Sequence, residues 1–137
     1  MSKLVVLSLA LSACATGGLT TIDRDTATHA KIQFQAAAVA DGLRSAFPKA
    51  IEPALPSVDR LAYHIRARTA DDLVAAVNLC VSPAGRVTKV SLVRASSFAP
   101  FDGALLRDLE SWRFAELPGP QSLEVCNEAT ISYRPPR

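Results

Sequence analysis

Aromatic and histidine side chains are scarce in this chain of 137 residues: aromatics make up 6%, with one tryptophan, Trp112, and the only histidines are His29 and His64. No Cys/His spacing fits zinc. Phosphate-loop, serine-elbow and dinucleotide patterns are missing as well. An excess of one charge is also lacking, since 15 Lys and Arg face 13 Asp and Glu for a formal net charge of +2. That balance gives no basic footprint for nucleic acid, and no arginine–aromatic ladder exists for single strands. The apolar stretch at residues 4–13 is about half of what a bilayer-spanning helix needs. Asp71-Asp72 and Asp108/Glu110 are carboxylate pairs without a pocket signal, and a Cys80–His64 thiol dyad would require a free Cys80. The sequence therefore predicts no catalysis, no metal and no cofactor.

Residues 73–114 hold the clearest pattern. Val77, Leu79 and Val81 alternate with Asn78 and Cys80, the period of a half-buried strand. Ser82-Pro83-Ala84-Gly85 supplies turn chemistry, with Pro83 fixing φ and Gly85 able to take φ > 0. A β-rich run at residues 87–93 follows at hairpin distance. Beyond Ser96-Ser97, Phe101, Leu105, Leu109 and Trp112 recur at helical spacing. This unit reads as strand, turn, strand, loop, helix around a small aliphatic core.

Residues 1–13 read as an export signal, with Lys3 as its charged end. Leu11-Ser12-Ala13-Cys14 resembles the lipobox of bacterial lipoproteins. That resemblance implies a diacylated Cys14 as mature N-terminus; the other reading is an ordinary signal peptide and a free Cys14. Acyl chains bind a membrane at about 0.8 kcal/mol per buried methylene, without a spanning helix. Ala15, rather than aspartate, as second mature residue favours the outer membrane, again by resemblance. With Cys14 committed to lipid, Cys80 and Cys126 remain. Outside the cytoplasm such a pair predicts a disulfide, the alternative being two buried thiols.

The rest of the chain is less explicit. Residues 14–27 read as a flexible tether of roughly 45 Å at full extension. Residues 28–47 suit an amphipathic helix, with Ile32, Ala36, Val39, Leu43 and Phe47 on one face, packed in cis or recruiting a partner. Pro48, Pro53 and Pro56 then make a connector. Residues 58–68 suit either a strand or a short helix, and Arg60, Arg66 and Arg68 there read as a solvated face or an anion-attracting one. After a Pro/Gly loop, residues 123–133 read as a last strand. Val125, Asn127, Ala129, Ile131 and Tyr133 share one of its faces, and Cys126, Glu128, Thr130 and Ser132 the other.

Gly85-Arg86-Val87, Ser96-Ser97, Phe101-Asp102 and Trp112-Arg113-Phe114, followed by a final strand ending in an aromatic, resemble the C-terminal domain of the TonB and TolA family. Cys80 and Cys126 match a TonB-like subgroup with one cysteine in the first core strand and one in the last. The resemblance covers residues 73–133. It implies an α+β domain at residues 57–137, a small three-stranded antiparallel-type sheet of order 2-1-3 with a helix on one face, preceded by the N-terminal helix. In that layout Cys80 and Cys126 lie on neighbouring strands, away from the helix. The chain departs from TonB in having a lipobox and short tether instead of a membrane helix and long spacer, so energy transduction by itself is not expected.

The functional expectation is a lipid-anchored periplasmic interaction module of the cell envelope. Its last strand would be a sheet edge, and Glu128, Thr130, Ser132 and Tyr133 would capture an envelope protein by strand addition, as the resemblance implies. The same edge could serve a homodimer. The other expectation is a structural lipoprotein that stabilises an envelope or transport complex through its N-terminal helix.

Overall fold

The computed structural model describes residues 26–27, 29–34 and 47–136. In chain order the elements are β1 (Thr26–Ala27), β2 (Ala30–Phe34), β3 (Ala50–Ile51), α1 (Pro56–Asp59), α2 (Ala62–Arg68), β4 (Leu73–Val81), β5 (Val87–Arg94), α3 (Ala99–Glu110), β6 (Arg113–Phe114) and β7 (Val125–Tyr133). The fold is α+β. Its main sheet has five strands in the order β1-β2-β7-β4-β5, and every pairing in it is antiparallel.

That sheet is larger than the three strands expected. β5, β4 and β7 lie side by side within it, and β2 with β1 extends it beyond β7. The N-terminal helix is corrected accordingly: residues 30–34 form a strand, while residues 35–46 lie outside the described residues. The physical reason is in the side chains. Ala30 and Ile32 are buried, whereas Lys31 and Gln33 are exposed, so the period here is two. Residues 58–68, which suited either state, are helical at 58–59 and 62–68 with a turn between.

Alternation along β4 and β7 builds the core. Leu73, Ala75, Val77, Leu79 and Val81 face the helices together with Ala129, Ile131 and Tyr133, all buried. Phe101, Leu105 and Leu109 come down on them from α3, the spacing of an amphipathic helix face. Each large aliphatic or aromatic side chain so buried contributes about 1.5–3 kcal/mol. Trp112 closes the end of α3, and its Nε1 donates to the Ala54 carbonyl at 2.8 Å.

The recurring sequence motifs turn out to be joints. Ser96 N–H donates to both Asp102 oxygens, at 3.0 and 3.2 Å, which ties the loop after β5 to the first turn of α3. Gly85, at φ +76°, brings its carbonyl to the Phe114 N–H at 2.8 Å, locking the β4–β5 turn onto β6. Asp108 is buried and accepts from the Ser57 and Val58 N–H groups at 2.9–3.1 Å, capping α1 from a neighbouring helix. A solvated helix face was expected for Asp108 and Glu110; Glu110 is exposed, whereas Asp108 points into the fold.

Candidate functional site

Cys80 and Cys126 form a disulfide, directly opposite one another on β4 and β7 with Cα atoms 4.0 Å apart. They lie on the sheet face away from α3, because the residues of opposite parity, Leu79 and Val81 on β4 and Ala129 and Ile131 on β7, are the ones turned inward. Closing a loop of sequence separation 46 is worth about 4 kcal/mol in the chain-entropy model. Glu124 offers a carboxylate within 4.8 Å of both sulfurs, the one group of potential metal ligands among the described residues. The sulfurs are spent on each other, so neither is a thiolate ligand. The same bond removes Cys80 from any dyad with His64, which sits exposed on α2 against the Tyr63 ring. Cys14, the expected lipid site, lies outside the described residues.

The expected binding edge is not open. Over residues 129–133 the outer side of β7 is covered by β2, with Phe34 opposite Ala129, Gln33 opposite Thr130, Ile32 opposite Ile131, Lys31 opposite Ser132 and Ala30 opposite Tyr133. The Arg134 N–H donates to the His29 carbonyl at 3.0 Å, and this fixes the parity of the ladder. Even-numbered residues of β7 turn their main-chain groups toward β2, odd-numbered ones toward β4. Thr130 and Ser132 were expected to hold a partner's backbone; the chain's own Gln33 and Lys31 occupy those positions.

The named side chains also separate by role. Tyr133 is core: its ring packs on Phe101, centroids 5.9 Å apart, and its hydroxyl donates to Asp59 at 2.7 Å. Burial, followed by the Asp59 carboxylate, pushes its phenol well above the usual tyrosine range. Thr130, Ser132 and Glu128 lie half-buried on the open face. Ser132 Oγ approaches Asp72 at 3.5 Å, and Asp72 in turn pairs with Arg134 at 2.5 Å. Asp71-Asp72 is thus a turn whose second member braces the end of β7.

β2 itself was the feature missed. Phe34 stacks within an aromatic group of Phe47, 5.0 Å away, and Phe114, 6.4 Å away. The signal was the alternation Ala30-Lys31-Ile32-Gln33-Phe34, masked by the alanines that follow and favour a helix.

No known family, curated protein or solved structure matches the chain in comparison. Among the described residues no helix is long and apolar enough to cross a membrane.

Proposed function

We propose that this protein is a lipid-anchored interaction module of the bacterial envelope, TonB-like in its C-terminal domain, that binds extended segments by strand exchange at β7. One observation carries the reading: the outer side of β7 already holds a five-residue strand, β2, in unbroken antiparallel register, with only the two-residue β1 beyond it among the described residues. A groove that accepts one strand of this pattern accepts another. The incoming segment competes with β2, so it has to place apolar side chains where Ala30, Ile32 and Phe34 sit. Losing the burial of Ile32 alone costs about 2 kcal/mol, which keeps β2 in place until a better-fitting segment arrives. β2 of a second copy would fit equally, giving an exchanged dimer. Attachment through Cys14 would hold the domain near the periplasmic face of the outer membrane.

A lock tests the exchange. Gln33→Cys with Thr130→Cys places two thiols at facing positions of β2 and β7, within disulfide reach. A photo-crosslinker at Ser132 in cells should attach an envelope protein to the wild type and to the reduced variant, and not to the oxidised one. Equal attachment in the locked protein would show that β7 is not the site. Loss of membrane fractionation in Cys14→Ser tests the anchor separately.

A further inference from the structure

The other border of the sheet is built differently. β5 ends the strand order, and past the Arg86–Arg113 bridge that joins its start to β6 nothing among the described residues pairs with its outer side. Parity decides which groups point there. Cys80 and Cys126, with Cα atoms 4.0 Å apart, are a narrow pair that exchanges no main-chain hydrogen bonds. The main-chain groups of Cys80 therefore turn toward β5, where Thr88 Oγ1 also donates to the Cys80 carbonyl at 3.2 Å. Lys89 and Ser91, opposite Cys80 and Asn78, point back at β4. Val90 and Leu92 are left with N–H and C=O directed outward, on the straight part of the strand between two register shifts.

The side chains there have one sign. From Arg86 to Phe101 the chain contains no acid, and Arg86, Lys89 and Arg94 are all exposed. The one ion pair among the described residues is Arg134 with Asp72, so none of these three cations has a carboxylate partner there. Glu124, bonded to Thr88 Oγ1, flanks one end. Lys89 and Arg94, opposite Cys80 and Ala76, belong to the open face. On the helix side Val90 packs at the margin of the core, and Leu92 is 36% exposed.

This arrangement discriminates between occupants. A second copy pairing antiparallel about Val90 would bring the two Lys89 ammonium groups together as diagonal neighbours on one face, and like charges so close destabilise a ladder. Edge lysines act against self-association in the same way. A strand with carboxylates at alternate positions meets the edge favourably. Its acids lie beside Lys89 and Arg94, its apolar residues beside Leu92, and its backbone bonds to Val90 and Leu92.

We infer that the outer edge of β5 is a second docking site, which takes an extended acidic segment of another protein whose carboxylates alternate with apolar residues. It shares no strand with the exchange at β7. The probe is a labelled Glu-Val-Glu-Val-Glu-Val-Glu peptide, read by fluorescence anisotropy on the full-length chain, with Lys in place of Glu as control. Saturable binding of the Glu peptide alone is expected, weakening as salt rises. Lys89→Glu with Arg94→Glu should weaken it at least about tenfold, and these exposed substitutions leave the core untouched. Val90→Pro removes an outward N–H without touching the β4 ladder and should weaken binding to a similar degree, with circular dichroism as the check on folding. The oxidised Gln33→Cys/Thr130→Cys protein should bind the peptide as the wild type does. Equal binding of the two peptides, undiminished binding in the charge-reversed variant, or undiminished binding in folded Val90→Pro would overturn the inference. So would loss of binding in the locked protein, which would assign the peptide to β7.

Discussion

Tyr133 illustrates how a residue can be placed on the right strand and given the wrong task. It ends β7 as expected, yet its ring is core and its hydroxyl is donated to Asp59. The phenol's pKa is raised in the folded state, so the fold favours the neutral form. The stability this supplies is complete below the ordinary tyrosine pKa of about 10 and is lost as pH rises beyond it. Thermal melts should therefore fall more steeply above that pH in the wild type than in Tyr133→Phe. At neutral pH the variant should be less stable by about 1 kcal/mol, the worth of one hydrogen bond. Parallel melting curves at high pH would contradict the assignment. The disulfide, by contrast, was legible from two cysteines on two alternating runs, once the expected export left them as a pair. Asp108 was not legible as a cap, since the N–H groups that it satisfies belong to Ser57 and Val58, far away in sequence.

At the scale of elements, β4, β5, α3 and β7 emerged from periodicity with boundaries close to those observed, because each buries one continuous face against the others. β2 did not. Five alternating residues are a weak signal beside a longer helical pattern, and only docking on β7 settles which period wins. The turn between β4 and β5 was read correctly for its φ but not for its crowding. A Cβ on Gly85 would sit 2.0 Å from the Phe114 carbonyl oxygen, on top of a positive φ. Gly85→Ala should therefore push β6 away from the hairpin and cost about 3 kcal/mol or more, measurable as a lower denaturation midpoint. An Asn at the same position tolerates the φ but not the contact, so it should give no rescue.

Over the whole molecule, the resemblance anticipated the order of β5, β4 and β7 and left out β2, the strand that covers β7. An edge inferred from part of a chain stays an edge only until the remaining residues find it, and here the residues leading back toward the N-terminus do so. The candidate site was thus legible as a strand and illegible as an occupied one. Sequence periodicity describes faces; it is silent about borders, where main-chain groups rather than side chains decide the pairing. The charge pattern of β5 was visible throughout, but it acquired meaning only once that strand proved to be the outer one.

The bridge between Cys80 and Cys126 has a mechanical consequence as well. A pull applied at the two ends of the chain passes from β4 to β7 through the sulfur atoms, so β5, α3 and β6 carry no load while the bridge is intact. The sequestered segment, of sequence separation 46, would add roughly 150 Å of contour length once the bond is reduced. Stretching single molecules with and without reductant should reveal that difference directly. An oxidised domain that extended to the same full length would mean that the strands are not covalently joined. The bridge thus sets how far the two ends of the chain can be drawn apart before a covalent bond has to break.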